Sequence, residues 1–299
     1  MKVTVITTCY NAENCIGKTI ESVLKQDFTD YEYIVMDGAS KDKTFEIAKS
    51  YEKAFKEKGI SYLCFSEPDH GIYEGMNHGL AHASGDYINF LNADDTYYDE
   101  KVLSSIFNKK LCNAYESESG VENTTEKVVS NASDSSIGII NEPDVIYGDA
   151  LGLEFGQYYR HRKDISVIEK KMPFSHQSVF AKREILQKYP LNTKYKIGAD
   201  YDFLLTAYTN GYKFLDSKVL VCVVTLDGLS SVDLYSTFIE TVEIQRNHGI
   251  NHYSETEYNK KLRNYKIKQI VMDHFPKFVI ALIRKMQRIS RGQNETVKN

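Results

Sequence analysis

The chain has 299 residues, of which 42% are hydrophobic and 26% are charged, and its formal net charge at neutral pH is -4. This composition is typical of a globular protein with an apolar core, and the length allows one large α/β domain or two smaller ones. The mild negative charge and the absence of basic recognition motifs argue against a nucleic-acid-binding protein. No apolar run in the sequence is long enough to cross a bilayer.

The cysteines indicate the compartment in which the chain works. They are odd in number and scattered without paired spacing, at Cys9, Cys15, Cys64, Cys112 and Cys222. This pattern argues against a zinc site and against a disulfide framework, and it favours a reducing compartment. The first ten residues hold a short apolar run that predicts a strand and not a secretion signal. We therefore expect a cytoplasmic protein.

The first hundred residues alternate between strand and helix patterns. Strands are predicted over 3–7, 33–36, 60–65 and 86–91, and amphipathic helices over 15–25, 44–55 and 72–83. Alternation at this spacing predicts an α/β fold with a Rossmann-like, mostly parallel central sheet and helices on both faces. A polar excursion follows over 108–143, and order resumes with a strand at 145–149. Further helices are expected at 184–188 and 202–211, with a strand at 219–224.

Carboxylates follow three neighbouring strands of the predicted sheet. Asp37 leaves the second strand, Asp69 the third, and Asp94 and Asp95 the fourth. Because ligands of open α/β sheets bind at the carboxyl ends of the strands, these groups converge on one expected site. Their mutual repulsion is costly unless a cation lies among them. We therefore expect Asp94 and Asp95 to bind Mn²⁺ or Mg²⁺, with the main ligand of the two left open.

The residues after the first strand indicate which ligand the ion accompanies. Tyr10 can stack on a base, and Asp37 can accept the imide N–H of uracil. A dinucleotide-binding fold would need a Gly-x-Gly-x-x-Gly turn here, and the sequence has none, which argues against a dehydrogenase. A nucleotide diphosphate that leaves a sugar builds up charge that a divalent ion offsets. The residues thus favour a nucleotide-sugar enzyme.

Several motifs, in order and in register over residues 1–231, resemble family 2 glycosyltransferases of the GT-A fold. The nearest resemblance is to the branch that assembles O-antigen, capsule and exopolysaccharide. The motifs are Thr8-Cys9-Tyr10-Asn11, Asp37-Gly38-Ala39-Ser40, Glu67 to Tyr73, Met76-Asn77, Leu91 to Asp95, Tyr147-Gly148-Asp149, Ser175-His176-Gln177, Ala199 to Asp202 and Gly228 to Ser231. The resemblance implies an inverting enzyme that takes a sugar from a nucleotide donor, expected to be a UDP-sugar.

Carried over residue by residue, the resemblance implies roles for the site. Asp37 contacts the base, Tyr10 stacks on it, and Asp200 is the catalytic base. The segment from Asn92 to Asp95 stands where the family's Asp-x-Asp contacts ribose and metal. Further residues are expected to bind the nucleotide sugar, namely Thr8, Asn11, Asp69, Asn77, Asn92, Asp94 and His176. The chain departs from the family pattern twice, because Asn92 replaces the common first Asp and Ala199 replaces the Glu before the base.

Alternative interpretations remain at this stage. Asp200 could instead cap the helix that follows it, although Asp202 is the better candidate for that cap. His176 is as readily a structural residue as a ligand contact. A sugar nucleotidyltransferase would also use carboxylates and a divalent ion, but it would typically carry a Gly-rich basic loop after the first strand. A sugar-nucleotide-binding protein without turnover is the other alternative, and Asp94, Asp95 and Asp200 argue against it.

The last part of the chain, residues 232–299, is predicted to be a helical, basic and amphipathic extension. Its apolar residues recur at helical spacing at Phe275, Phe278, Val279, Leu282, Ile283, Met286 and Ile289. Basic residues surround them, and together they predict a peripheral contact with the inner face of the cytoplasmic membrane. A lipid-linked saccharide acceptor would fit this location. The alternatives are that the stripe packs on the catalytic domain or on a second subunit, as in a homodimer.

Overall fold

The computed structural model describes residues 2–107, 142–154, 157–161, 163–225 and 232–275. Almost all of the predicted polar excursion and all of the predicted tail beyond Phe275 lie outside these residues. Within the described ranges, no helix combines the length and the apolar character needed to span a bilayer.

The amino-terminal half is a parallel βα unit, as the alternating pattern predicts. Its strands are β1 (Val3–Cys9), β2 (Tyr31–Asp37), β3 (Ser61–Ser66) and β4 (Tyr87–Phe90). Its helices are α1 (Ile16–Leu24), α2 (Thr44–Ser50), α3 (Glu52–Lys58) and α4 (Ile72–His82). The strands lie in the order β3-β2-β1-β4, and all their pairings are parallel. The single helix predicted over 44–55 is divided at Tyr51, whose N–H bonds to the carbonyl of Ala48 in a tighter turn.

The second half extends the same sheet with strands of mixed direction. These are β5 (Thr96–Tyr97), β6 (Val145–Glu154), β7 (Gln157–His161), β8 (Val179–Lys182) and β9 (Phe214–Thr225). The order continues as β4-β8-β6-β9-β5, and β7 pairs with β6. β8 runs antiparallel to β4 and β6, so the residues just before β8 lie beside the carboxyl end of β4. This reversal brings the segment around His176 to the predicted site.

Helices cover both faces of the sheet. α1, α2, α3 and α5 (Val102–Phe107) pack on one face, and α4, α6 (Arg183–Lys188) and α7 (Ala199–Thr209) pack on the other. Fully buried side chains such as Ile20 of α1 and Leu205 of α7 form the two cores. The predicted α/β class, with a central sheet between helical layers, is confirmed.

The chain then adds two helices, α8 (Leu234–Asn247) and α9 (Glu255–His274). Ile244 of α8 is fully buried in the same core as α4 and α7. Phe238 of α8 stacks on Tyr265 of α9 with ring centroids 4.5 Å apart. α8 is therefore an integral layer of the α/β fold, and α9 is attached through α8.

The buried carboxylate of Glu32 joins β2 to neighbouring elements at the edge of the sheet opposite the predicted site. It accepts hydrogen bonds from Lys2 Nζ at 2.8 Å, from Thr4 Oγ1 at 2.6 Å, and from the backbone and hydroxyl of Ser84 at 2.6 Å each. Burial by itself raises the pKa of Glu32, but these hydrogen bonds outweigh it and lower the pKa to about 2 from an ordinary 4.5. The ionised carboxylate therefore stabilises the fold.

Glu32→Gln is expected to lower the free energy of unfolding at pH 7 by roughly 3 kcal/mol, since each tenfold change in an acid's ionisation constant corresponds to about 1.4 kcal/mol. The folded pKa lies below the unfolded one, so this stabilisation is complete above about pH 4.5 and is lost as the pH falls toward 2. Urea unfolding at pH 7 and pH 3 measures the difference between variant and wild type, which should shrink at pH 3. Glu57→Gln, at an exposed carboxylate, is the control and should change neither value. A constant difference at both pH values would contradict the assignment.

Candidate active site

An open groove of about 570 Å³ lies over the carboxyl ends of β1 and β2. Its lining includes Thr8, Tyr10, Gly38, Asp69 and Ile72. Tyr10 has 58% of its surface exposed, so its ring is free to pack against a planar ligand. Three of the residues predicted for the nucleotide sugar, Thr8, Tyr10 and Asp69, thus share one groove.

The floor of the groove is formed by the turn that follows β2. Asp37 is 1% exposed, and its carboxylate accepts hydrogen bonds from Ser66 Oγ at 2.6 Å and from the N–H of Ser40 at 3.1 Å. Ser40 Oγ in turn accepts from the N–H of Asn11, and the Asn11 side-chain oxygen accepts from the N–H of Lys41. Asn11 therefore connects the ends of β1 and β2. Asp37 itself is buried beside the groove and outside its lining, and Cys9 Sγ also lies 3.9 Å from its Oδ1.

Two glycines make room for the Asp69 carboxylate. A Cβ added to Gly38 would lie 2.7 Å from Asp69 Oδ2, and one added to Gly75 would lie 3.1 Å from the same atom. The other oxygen, Oδ1, accepts from the N–H of Gly71 at 3.0 Å. The Asp-Gly sequence after β2 thus allows a second carboxylate to pack beside the turn that carries Asp37.

The two consecutive aspartates after β4 point in different directions. Asp95 is 5% exposed, and its oxygens accept from Gln177 Nε2 at 2.8 Å and from the N–H of Thr225 at 3.1 Å. Burial raises its pKa to about 6, against the opposing effect of the Gln177 hydrogen bond. Asp94 is exposed and takes a left-handed backbone conformation, with φ of 82°. Asp95 therefore connects β9 to the segment before β8, while Asp94 faces solvent at the strand end.

A continuous chain of hydrogen bonds crosses the site. Thr8 Oγ1 lies 3.3 Å from Asn92 Oδ1, and Asn92 Nδ2 lies 2.9 Å from His176 Nε2. His176 Nδ1 lies 2.9 Å from Asp200 Oδ2. Burial lowers the pKa of His176, but the hydrogen bond and the charge of Asp200 outweigh it and raise the pKa above its ordinary value. Residues from β1, β4, the turn before β8 and α7 thus form one polar network.

Asp200 lies in the first turn of α7, which begins at Ala199 and so earlier than predicted. Its Oδ1 accepts from Tyr73 Oη at 3.1 Å and from the N–H of Tyr201 at 2.8 Å. Asp202 does not cap this helix, which contradicts the expectation from sequence. Its carboxylate instead lies 3.1 Å from Nε2 of His248 on α8. The side chain expected at the cap therefore bridges two helices, and Asp200 is the carboxylate that joins the polar network.

The loop before Asp200 is held by the carboxylate of Glu240 on α8. Glu240 accepts the backbone N–H groups of Lys196 at 3.0 Å, Ile197 at 2.8 Å and Gly198 at 2.9 Å. On the opposite side, Tyr73 donates to the carbonyl of Ile197. Both contacts fix the backbone that leads into Asp200.

Asn77, which is predicted to contact the nucleotide sugar, is hydrogen-bonded to Leu191. Its Nδ2 donates to the carbonyl of Leu191 at 2.8 Å, and its Oδ1 accepts from the N–H of Leu191 at 3.1 Å. The protein therefore engages both ends of the amide. These bonds connect Asn77 to the segment that precedes Asp200, and its contact with the nucleotide sugar stays a prediction.

The predicted divalent ion can be tested against the donors present. In the part of the chain that the structure describes, three or more metal-binding side chains do not cluster at any point. Mg²⁺ in nucleotide enzymes is usually held by one or two carboxylates together with substrate phosphates and water. The exposed carboxylate of Asp94 at the strand end fits such a site. Asp95 fits it less well because both of its oxygens already accept hydrogen bonds from the protein.

The comparisons with known proteins agree with this geometry. Residues 4–111 match the family model described as glycosyl transferase family 2. These residues are therefore similar to a family 2 glycosyltransferase domain. They run from β1 past the end of α5, so they include the groove and Asp94 but neither His176 nor Asp200.

Similar proteins extend the match beyond residues 4–111. A PGL/p-HBAD biosynthesis glycosyltransferase of Mycobacterium bovis is 24% identical over 251 residues, which cover 82% of this chain and 86% of the relative. The putative glycosyltransferase EpsE of Bacillus subtilis is 35% identical over 105 residues, covering 35% of this chain and 37% of EpsE. The putative teichuronic acid biosynthesis glycosyltransferase TuaG of the same organism is 37% identical over 100 residues, covering 33% and 38%.

Solved structures share the fold of this chain. TarS of S. aureus, residues 1–349, aligns with a TM-score of 0.54 and 19% identity, covering 89% of this chain and 70% of that one. The mannosyltransferase PcManGT of Pyrobaculum calidifontis aligns with a TM-score of 0.56 and 16% identity, covering 96% and 80%. The GT-A fold implied by the sequence resemblance is confirmed.

Three residues of the site were not predicted from sequence. Tyr73 and Gln177 lie within motifs of the resemblance. The motifs did not predict that Tyr73 donates to Asp200 or that Gln177 donates to Asp95. Glu240 lies outside every motif, and its neighbours are ordinary helix residues. Only the packing of α8 against α7 shows that Glu240 contacts the loop before Asp200.

Proposed function

We propose that this glycosyltransferase moves a sugar from a nucleoside diphosphate donor, a UDP-sugar, to a hydroxyl of a saccharide acceptor with inversion at the anomeric carbon. The observation that carries the proposal is the hydrogen-bonded chain from Thr8 through Asn92 and His176 to Asp200. It joins the donor groove to a carboxylate that can act as a base.

Ligands of the structural neighbours support the donor class. TarS has been solved with UDP-GlcNAc, and that complex aligns with a TM-score of 0.56. PcManGT has been solved with GDP-Man and Mn²⁺. The names of the relatives refer to the biosynthesis of PGL/p-HBAD and of teichuronic acid. By analogy, we propose a role in cell-surface polysaccharide biosynthesis, with a lipid-linked saccharide as the acceptor.

Different residues at the site would bind different parts of the nucleotide sugar. The exposed ring of Tyr10 would pack on the nucleobase, and the Asp37 carboxylate beside the groove would accept an N–H of the nucleobase. Asn92, held between Thr8 and His176, presents its amide toward the ribose side. Asp94 would hold a divalent ion, which neutralises charge on the leaving diphosphate.

Asp200 would take the proton of the acceptor hydroxyl as that oxygen attacks the anomeric carbon from the face opposite the leaving group. The hydroxyl becomes acidic as the bond forms, so a positioned carboxylate contributes typically 10²- to 10⁴-fold. Hydrogen bonds from Tyr73 and His176 hold the carboxylate in one orientation. The C–O bond to the diphosphate breaks as the new glycosidic bond forms, and the proton remains on Asp200 until solvent removes it.

A thermal-shift panel of UDP- and GDP-sugars with Mn²⁺, followed by transfer of labelled sugar to a lipid extract, tests the proposal. A donor at 100 times its Kd stabilises the fold by about 2.7 kcal/mol. Asp37→Asn should reduce that stabilisation. Glu32→Gln, at the other end of the same strand, is the matched control and should retain it. Failure of every nucleotide sugar to stabilise the chain, or a product with the donor's anomeric configuration, would contradict the proposal.

We further propose that the carboxyl-terminal helices contact an anionic membrane surface. Ile267, Ile270 and Val271 lie at helical spacing in α9, and Phe275 follows its last residue. Each of the four has between 38% and 55% of its surface exposed. Basic residues flank them at Arg263, Lys266 and Lys268. An apolar stripe bordered by basic residues suits the interface of an anionic bilayer.

Liposome flotation measures this contact. The full chain should float with anionic vesicles at low salt and less at high salt, because the screening length shortens. Ile270→Glu together with Phe275→Glu should reduce flotation severalfold. Tyr208→Glu, at an exposed aromatic residue of α7, is the control and should float like the wild type. Equal flotation of all three proteins would indicate that the stripe is not the membrane contact.

A further inference from the structure

His176 connects the donor side of the hydrogen-bonded network to the base. It opens a short 3-10 turn, His176–Ser178, directly before β8. Asn89 Nδ2 donates to the carbonyls of Gln177 at 3.0 Å and Val179 at 2.8 Å, and Gln177 Nε2 donates to Asp95. The backbone that carries the imidazole is therefore held against the end of β4. The ring itself is 22% exposed.

The neighbours of the ring determine which nitrogen carries the proton. Asn92 Oδ1 accepts from the Thr8 hydroxyl, which leaves Nδ2 facing His176 Nε2. An amide nitrogen only donates, so in the neutral imidazole this arrangement assigns the acceptor role to Nε2 and the proton to Nδ1. Nδ1 then donates to Asp200 Oδ2 at 2.9 Å. Each ring nitrogen thus has a defined partner, and neither is free to take a proton from an acceptor hydroxyl.

We propose that His176 is a positioning residue that aligns two parts of the active site at once, Asn92 on the donor side through Nε2 and the base Asp200 through Nδ1. This proposal rests on the proposed function, in which Asp200 is the base. The imidazole keeps the carboxylate oriented while the Thr8–Asn92 pair holds the ribose side. Donor binding then depends on Nε2 and proton removal on Nδ1, and the rigid imidazole ring connects the two.

The two roles can be separated by two substitutions of the same residue. The Asn side chain places its terminal nitrogen as many bonds from Cβ as His Nδ1, and the Gln side chain places its terminal group where His Nε2 lies. His176→Asn should therefore retain the hydrogen bond to Asp200 and lose the one to Asn92. His176→Gln should retain an acceptor for Asn92 and lose the donor to Asp200.

Steady-state kinetics and nucleotide binding then give opposite results for the two variants. His176→Gln should lower kcat by about ten- to a hundredfold, the usual effect of losing a hydrogen bond to a charged group, with the Kd for UDP unchanged. His176→Asn should raise KM for the donor and the Kd for UDP about three- to tenfold, while kcat falls less than threefold. Asn92→Ser, which removes the Nε2 partner from the other side, should reproduce the His176→Asn pattern and stands in if a His176 variant fails to fold.

A double-mutant cycle separates this proposal from the proposed function. If His176 acts through Asp200, His176→Gln in the Asp200→Asn background should cause no further loss of kcat. Equal loss of the same parameter in both His176 variants, or an additive loss in the double variant, would overturn the positioning role. Wild-type turnover by Asp200→Asn alone would instead overturn the assignment of the base.

Discussion

Asp200→Asn is expected to lower kcat by about 10²- to 10⁴-fold while the Kd for the nucleotide stays within a factor of two. The substitution preserves the shape of the side chain and removes the proton acceptor. The donor groove lies over β1 and β2, so nucleotide contacts should be unaffected. Single-turnover transfer from the identified donor and calorimetric titration with UDP measure the two quantities.

Asp202→Asn is the matched control for that experiment. Asp202 lies two residues away on the same helix, and its carboxylate pairs with His248 on the far side of α7 from the network. Its replacement should lower thermal stability and leave kcat nearly unchanged. A kcat that falls for Asp202→Asn and not for Asp200→Asn would show that the base has been assigned to the wrong carboxylate.

Asp94→Asn is expected to lower kcat/KM at least about a hundredfold in the presence of Mn²⁺, and EDTA should abolish transfer by the wild type. A neutral amide binds a divalent ion poorly, yet Asn tolerates the left-handed backbone found at this position. The measurement is transfer as a function of Mn²⁺ and Mg²⁺ concentration. The variant should need far more metal, and either ion should restore the chelated wild type.

Asp99→Ala provides the control for the metal experiment because it removes an exposed carboxylate from the next connection, between β5 and α5. Its metal dependence should match that of the wild type. Full transfer in EDTA would contradict the metal hypothesis as a whole. A normal metal response in Asp94→Asn would contradict only the choice of ligand.

Local patterns predicted the fold well. Apolar runs marked β1 to β4, and the polar residues after each run marked the edge where the groove lies. The boundary of α7 was less accurate, because Ala199 and Asp200 belong to the helix although the apolar periodicity begins at Phe203. Periodicity reports the packed face of a helix, and it carries no information about a first turn that is held by Glu240 and Tyr73.

The directions of individual side chains could not be predicted in the same way. Asp94 and Asp95 are adjacent and chemically identical, and Asp95 turns inward because Gln177 and Thr225, distant in sequence, supply its hydrogen bonds. Asn77 likewise contacts Leu191, 114 positions away. Such partners are determined by the tertiary arrangement of the strands and helices. A sequence motif indicates the positions of such side chains but not the groups that they contact.

The contact between Glu240 and residues 196–198, the loop that leads into Asp200, has a consequence for exchanging parts between related proteins. Swaps between this chain and similar proteins would naturally be joined after the last motif of the resemblance, near Ser231, so that a new carboxyl-terminal part brings a new acceptor preference. Such a junction would replace Glu240 and Ile244 with residues that evolved beside a different loop at positions 196–198. Hybrids joined in the connection between α8 and α9, after Ile250, keep the three hydrogen bonds to residues 196–198. They should retain turnover where hybrids joined at 231 lose it.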